Sequence, residues 1–133
     1  MTTAVDTCVV LDLLLDEPQW SDRAEAALRQ AFDQGRLIIG EVVYAELMPQ
    51  FHGSAELEET LNELGILFIP SCVSMAAAAG LAWAQYRRNG GPRNRLIGDF
   101  LVGAHAAVNA DRLLTRDGRF YQSSFATLTI IEP

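Results

Sequence analysis

The sequence has no lysine: all ten basic residues among its 133 residues are arginines. Chemistry that depends on a lysine side chain is therefore excluded. Phosphoacceptor receiver domains, P-loop NTPases and haloacid-dehalogenase-type phosphatases combine parallel sheets with acidic or phosphate-binding sites, and each relies on a lysine. Composition alone rules out these three classes.

Cysteines and long apolar runs are also scarce. The two cysteines, Cys8 and Cys72, form no CxxC pair and have no neighbouring histidine, so they predict neither a zinc site nor a disulfide framework. We expect both to be buried, reduced thiols.

The longest apolar run, residues 75–84, is about half as long as a bilayer span. No arginine precedes Arg23, which argues against a signal peptide. The expected location is cytoplasmic, without membrane contact.

The net charge of -7 is distributed unevenly along the chain. Residues 1–75 hold 13 acids and 3 arginines, whereas residues 76–133 hold 4 acids and 7 arginines. The N-terminal part is therefore acidic and the C-terminal part is mildly basic. A nucleic-acid partner, whose phosphates require local positive charge, would have to meet the C-terminal part.

Short apolar runs of strand type alternate with longer helical patterns, and no linker, repeat or low-complexity segment interrupts them. We therefore predict a single domain covering residues 1–133. Strands are predicted at residues 4–6, 37–39, 66–69, 112–115 and 127–131, and helices at 7–15, 21–34, 41–48, 54–64, 73–89 and 94–110. Thr7 and Asn94 are the expected caps of the first and last of these helices. The alternation predicts an α/β fold with a parallel sheet covered on both faces.

Two acids fall where predicted strands end, since Asp6 ends the first strand and Asp117 lies just beyond the fourth. In parallel sheets, ligands bind at this edge, near the point where the strand order reverses. Glu46 and Asp99 each lie among apolar residues of a predicted helix, where acids are rarely buried unless they are paired. Carboxylates that converge without cations raise one another's pKa values unless a divalent ion neutralises them. Such hard oxygen ligands suit Mg²⁺ or Mn²⁺.

Each of these acids also has an ordinary structural explanation. Asp6 could cap the following helix, Asp117 could lie in an Asp-Gly turn, and Glu46 or Asp99 could pair with an arginine. The joint placement of the four acids favours a common site. Three other acids are more typical of a solvated surface: Asp12, Asp16 and Asp111. His105 is expected to be packed rather than catalytic, because it lies well around the helix from Asp99.

Four segments carry a resemblance to a known family. In chain order they are Val5–Thr7, Glu41–Leu47, Gly98–Ala106 and Leu113–Tyr121. Their sequences, order and spacing resemble the four blocks of PIN-domain proteins, especially the VapC-type toxins of type II toxin-antitoxin systems. The resemblance covers nearly the whole chain. It implies a PIN-like three-layer α/β/α sandwich with a central parallel five-stranded sheet, and metal-dependent ribonuclease activity.

By position, the resemblance assigns a catalytic set made of four metal-binding acids and one bordering hydroxyl: Asp6, Glu46, Asp99, Asp117 and Thr115. Mg²⁺ is the implied ion, with Mn²⁺ as a substitute. Two positions depart from the family pattern. Gly40 stands where members often have serine or threonine, which affects only a helix cap. Arg119 stands where many members have a further acid, which weakens the expected contact of Asp117 with the metal.

The implied reaction is hydrolysis of an RNA phosphodiester bond by a metal-activated water, without a protein nucleophile. Three arginines of the basic part would contact the RNA backbone: Arg93, Arg95 and Arg116. The resemblance also implies a homodimer and a VapB-type antitoxin protein that covers the acidic site. Three aromatic residues either line the antitoxin groove or pack in the core: Trp20, Phe51 and Phe68. The alternatives are a PIN-fold RNA-processing nuclease outside a toxin-antitoxin pair, and a catalytically inactive PIN-fold interaction module.

Overall fold

Five short strands form one sheet, and every neighbouring pair in it is parallel. In this computed structural model, which describes residues 1–133, the strands are Thr2–Val5 (β1), Arg36–Ile39 (β2), Ile66–Phe68 (β3), Arg112–Leu114 (β4) and Thr129–Ile131 (β5). Their order across the sheet is β3-β2-β1-β4-β5. The chain runs from β1 toward one edge and later from β4 toward the other, so the strand order reverses between β1 and β4.

Seven helices connect and cover the strands. They are Thr7–Leu14 (α1), Ser21–Gln34 (α2), Glu41–Leu47 (α3), Ser54–Leu64 (α4), Val73–Arg88 (α5), Ile97–Asn109 (α6) and Gly118–Ser124 (α7), with a short 3₁₀ turn at Met48–Gln50. The predicted α/β/α sandwich around a five-stranded parallel sheet is confirmed. None of the helices is both long and apolar enough to cross a membrane.

The central strands β1, β2 and β4 are buried in the middle of the core. Seven of their apolar side chains are at most 3% exposed: Ala4, Val5, Leu37, Ile38, Ile39, Leu113 and Leu114. Parallel strands that are covered on both faces need such continuous apolar runs. At the edge, β3 is less covered, and Leu67 and Phe68 are both exposed. The two strands on either side of the reversal point are therefore anchored by the core itself.

Two helix starts differ from the sequence-based prediction. Asp6 rather than Thr7 caps α1, because its Oδ1 accepts the Thr7 backbone N–H at 2.8 Å. The helix α6 begins at Ile97, later than a cap at Asn94 would place it. There, Asp99 Oδ2 accepts the backbone N–H of Leu96 at 3.3 Å. An acid in the third helical position satisfies a free backbone donor in this way, so it marks the start better than Asn94 does.

The helix α7 was not predicted, since its Asp-Gly start suggested only a turn. Gly118 is buried, and a Cβ at this position would lie 2.9 Å from Ile130 Cγ2. Glycine therefore lets the start of α7 approach β5 closely. Phe120 and Tyr121 bury the inner face of the helix, and the Phe120 ring packs edge-on against Phe100 with 5.3 Å between the centroids. Tertiary packing, rather than local propensity, stabilises this seven-residue helix.

A steric contact explains why glycine stands at position 40, where the family pattern often has serine or threonine. Gly40 precedes α3 and offers no side-chain cap. A Cβ on Gly40 would lie 2.8 Å from Cδ2 of His105. His105 is 4% exposed, and its Nε2 donates to the Ile69 carbonyl at 2.6 Å. The imidazole is packed, as expected, and it occupies the space that a serine or threonine side chain would need.

We predict that Gly40→Ser lowers the free energy of unfolding by about 1–3 kcal/mol, because the new side chain is forced against the His105 ring. The loss should shrink in a His105→Ala background, where the serine has room to cap α3. Urea denaturation of the four proteins in this double-mutant cycle measures the coupling. Equal losses in both backgrounds would show that the ring is not the obstacle.

Candidate active site

The carboxyl ends of β1 and β4 meet where the strand order reverses, and Asp6 and Thr115 stand at these ends. Asp6 follows β1, and its backbone N–H donates to the Leu114 carbonyl of β4 at 3.0 Å. Thr115 follows β4 and is fully buried. Its Oγ1 donates to Asp6 Oδ2 at 2.7 Å, while Asp6 Oδ1 accepts the Thr7 N–H. Both carboxylate oxygens of Asp6 are therefore fixed by the scaffold.

Glu46 reaches the same place from α3. Its Oε1 accepts the hydroxyl of Thr7 at 2.8 Å, although the residue itself is exposed. Burial, with a further contribution from the negative charge of Glu46, raises the pKa of Asp6 above its usual value, and the bonds from Thr115 and Thr7 oppose the shift. The Asp6 carboxylate is therefore a partly buried charge, and the neighbouring charge that acts on it has the same sign.

Asp117 and Asp99 approach from the other side. The Asp117 backbone N–H donates to Thr115 Oγ1 at 3.0 Å. Burial, followed by the charges of Asp6, Asp99 and Asp117, raises the pKa of Tyr121 above its usual range. Three of the four acids therefore lie close enough to this one phenol to act on it electrostatically. Asp99 makes no direct bond to the other three acids.

Arg95 is the cation of the site. It forms an ion pair with Asp117 Oδ2 and lies 4.0 Å from the centroid of the Phe120 ring. Arg95 was expected to meet RNA, whereas the structure places it against a candidate metal ligand. From the sequence, Glu46 and Asp99 were the acids considered for pairing with an arginine. In the structure, Asp117 is the one of the four acids that forms such a pair.

The four acids fit a divalent metal by the chemistry of their donors. All are hard carboxylate oxygens, and Asp6 has no cation within bonding distance. No three acidic, imidazole or thiol side chains are grouped closely enough to form a complete metal site as they stand.

Asp12 corrects one expectation. It was assigned to a solvated surface, but it is buried in the structure, with a side chain only 5% exposed, and it binds Arg116. The guanidinium donates from Nε and Nη2 to the two carboxylate oxygens, at 2.8 and 3.0 Å. Asp12 lies between Leu11 and Leu13. Like Glu46 and Asp99, it is an acid among apolar helix neighbours, and this pattern is visible in the sequence.

A basic groove adjoins the acidic site. It has a volume of about 660 Å³, and its polar lining includes four arginines and no acid: Arg87, Arg88, Arg93 and Arg95. Trp83 and Tyr86 form part of its wall, and the Arg87 guanidinium lies 5.1 Å from the centre of the Trp83 ring. Since Arg95 also contacts Asp117, the groove leads directly into the acidic site.

The cysteines also differ from expectation. Cys72 is exposed, and Cys8 is only partly buried. The Cys8 thiol donates to Asp6 Oδ2 at 3.7 Å. Burial, with the negative charge of Asp6, raises the pKa of Cys8 to about 11. At neutral pH, Cys8 is therefore a protonated hydrogen-bond donor to Asp6, and sequence reasoning missed this neighbour of the site.

The three aromatic residues considered for an antitoxin groove lie in different settings. Phe51 packs partly buried against the core. Trp20 lies beneath the guanidinium groups of both Arg23 and Arg116. Phe68 is 46% exposed and contacts Tyr44 edge-on. Of these three residues, only Phe68 has an exposed ring.

The fold and the site together define a three-layer α/β/α protein with acids at the reversal point of its sheet. A model of the PIN domain family matches residues 3–126, and the chain belongs to this family. The sequence matches none of the curated proteins with which it was compared.

Several solved structures share the fold at low sequence identity. The chain is similar to a chain of VapBC2 from Rickettsia felis bound to a promoter DNA fragment (TM-score 0.76, 16% identity, covering 100% of this chain and 99% of that one). It is also similar to a chain of VapBC-1 from nontypeable Haemophilus influenzae (TM-score 0.73, 18% identity, covering 99% of this chain and 98% of that one). A third similar structure is FitAcB from Neisseria gonorrhoeae (TM-score 0.67, 21% identity, covering 97% of this chain and 96% of that one). These likenesses extend over the full length of the fold.

We predict that Asp6→Asn raises the free energy of unfolding at pH 7 in EDTA, by on the order of 1 kcal/mol. Asparagine keeps partners for Thr7 and Thr115 and removes a partly buried charge. A carboxyl whose pKa is raised by folding binds more protons in the folded state, so the parent loses stability as the pH rises through that interval. The gain should therefore vanish at low pH, where Asp6 is neutral.

Urea denaturation across pH measures this effect, with Asp33→Asn on the exposed side of α2 as the matched control. A loss of stability at pH 7 for Asp6→Asn, or an equal gain for the control, would contradict the prediction.

Proposed function

We propose that this protein is a metal-dependent endoribonuclease toxin of the VapC type, from a type II toxin-antitoxin pair. The observation that carries the proposal is the network of Asp6, Thr115 and Asp117 at the reversal point of the sheet. Membership of the PIN domain family supports it. So does the full-length likeness to chains of VapBC and FitAcB structures. The cytoplasm is the proposed location.

The proposed ligands of Mg²⁺, or of Mn²⁺ in its place, are Asp6, Glu46, Asp99 and Asp117. When bound, the ion supplies an activated water and positive charge beside the scissile phosphate. Thr115 holds Asp6 Oδ2 in a fixed direction, and each carboxylate oxygen keeps a further lone pair for a ligand. Glu46 is exposed and is held through one oxygen by Thr7. It is the acid with the most direct path for passing a proton to solvent.

The basic groove is the proposed path of the RNA backbone. Arg93 lines the groove and has no ion-pair partner. Arg95 is placed to exchange the Asp117 carboxylate for a phosphate, which would also free Asp117. Arg116 was expected to contact RNA as well, but two of its nitrogens bind Asp12, so we assign it no RNA contact.

The proposed protein partners are a VapB-type antitoxin and a second copy of this chain. The exposed ring of Phe68 supports a protein contact beside β3. On α5, Val73 and Leu81 are 85% and 71% exposed beside several alanines. A small-residue helix face of this kind supports close packing between two copies.

The protein, purified free of antitoxin, should cleave total RNA with Mg²⁺ or Mn²⁺ and not with EDTA. Asp99→Asn should lower the rate by more than about 100-fold, because changes even outside the direct ligands cost 10–100-fold at metal sites. Asp33→Asn should leave the rate unchanged, and circular dichroism should show that both variants are folded. Cleavage that persists in Asp99→Asn would refute the assigned site. A folded parent that is inactive with every metal would favour the interaction module.

Arg93→Gln should weaken RNA binding and reduce the slope of log affinity against log salt by about 1, because one phosphate contact is lost. Fluorescence anisotropy with a labelled single-stranded RNA and the inactive Asp99→Asn protein measures both quantities. Arg36→Gln is the matched control, since Arg36 is exposed at the start of β2, on the opposite edge of the sheet. Identical salt slopes for the two variants would exclude the groove as the RNA path.

A further inference from the structure

The pair of Asp12 and Arg116 joins the same two segments that the active-site bond joins. Asp6 and Asp12 are the N-cap and the sixth residue of α1, separated by roughly 9 Å of helix rise. Thr115 and Arg116 are consecutive residues after β4. The Thr115 hydroxyl donates to Asp6, and the Arg116 guanidinium binds Asp12. The loop between β4 and α7 is therefore attached to α1 at two separate points.

The second attachment is closely defined. Arg116 binds Asp12 through two nitrogens, and this geometry fixes the plane of the guanidinium. The guanidinium also lies 4.7 Å from the centre of the Trp20 ring. Trp20 is tied to the same region, because its N–H donates to Glu17 and the Glu17 N–H donates to the Asp12 carbonyl. Arg116 is thus held by α1 and by the turn that follows it.

The loop is also held at both of its ends, because the Thr115 backbone N–H donates to the Ile131 carbonyl of β5 at 3.1 Å and Asp117 pairs with Arg95. Arg116 lies between these two residues, and its pair with Asp12 fixes the middle of the loop against α1. The Thr115 hydroxyl donates to Asp6 and accepts the Asp117 N–H, so a loop that turned would misplace both acids at once. Small displacements of reacting groups have large effects on rate.

We propose that Arg116 is a positioning residue, and that its pair with Asp12 over Trp20 holds Thr115 and Asp117 in the geometry needed to bind the metal. The effect on catalysis rests on the proposed nuclease function. The effect on loop geometry does not, because it follows from the hydrogen bonds of this chain alone.

Arg116→Lys tests the proposal with little risk to folding, because the lysine still compensates the buried Asp12 charge but loses the two-point geometry and the contact with Trp20. Its matched control is Arg29→Lys, in the exposed ion pair with Glu25 on α2. Four quantities are measured on antitoxin-free protein: the hydrogen-exchange rate of the Asp117 amide, the Mn²⁺ affinity, and kcat and KM on an RNA oligonucleotide over a range of salt.

For Arg116→Lys, we expect faster exchange of the Asp117 amide, Mn²⁺ affinity weakened by about tenfold or more, and kcat lowered by a similar factor. KM and the salt slope should stay at the parent values, and Arg29→Lys should change nothing. Trp20→Leu should shift the same quantities in the same direction but less, so it serves as the second variant if Arg116→Lys is poorly folded.

A raised KM with a shallower salt slope and unchanged Mn²⁺ affinity would overturn the proposal, because Arg116 would then be a direct RNA contact. Unchanged amide exchange would overturn it as well. If the parent cleaves no RNA, the nuclease function fails while amide exchange and Mn²⁺ affinity still decide the role of Arg116. A parent that binds no Mn²⁺ would overturn the metal-positioning role, even if the exchange rate changes.

Discussion

The hydrogen bond from Thr115 to Asp6 is the contact on which the rest of the site depends. It crosses from β4 to β1 at the point where the strand order reverses, so it exists only because these strands are neighbours. It holds a carboxylate that is desolvated and lies near another negative charge. The buried strands on either side supply the stability that such an unfavourable charge requires, and functional sites commonly depend on their surroundings in this way.

Much of this arrangement could be predicted from local sequence. The apolar residues at 37–39 and 113–114 predicted two of the strands, because parallel strands covered on both faces have no polar alternation. An acid at the end of such a strand, as at Asp6, must lie at the ligand-binding edge. Glu46 and Asp99 were singled out because both lie among apolar helix neighbours, although Glu46 is exposed in the structure and Asp99 is only partly buried. These inferences use only short-range patterns and one general rule of topology.

The parts that could not be predicted depend on contacts between distant residues. Asp12 is buried because Arg116, 104 residues away in sequence, pairs with it. The pairing of Arg95 with Asp117 depends on where the loop before α6 lies. The helix α7 begins with glycine and is stabilised by packing of Phe120 and Tyr121, which a single sequence does not reveal. The sequence shows that Gly40 differs from the serine or threonine of the family pattern. It does not show the cause, which is the closely packed ring of His105.

All the charged groups that line the basic groove are guanidinium groups, so the groove and the neighbouring acidic site respond differently to pH. Arginine stays charged over the whole range in which proteins are folded, so the positive potential of the groove is constant with pH. The neighbouring acidic site is made of carboxyl groups, which acid protonates. Acid should therefore act on this site through its carboxylates, while the groove keeps its attraction for a polyanion.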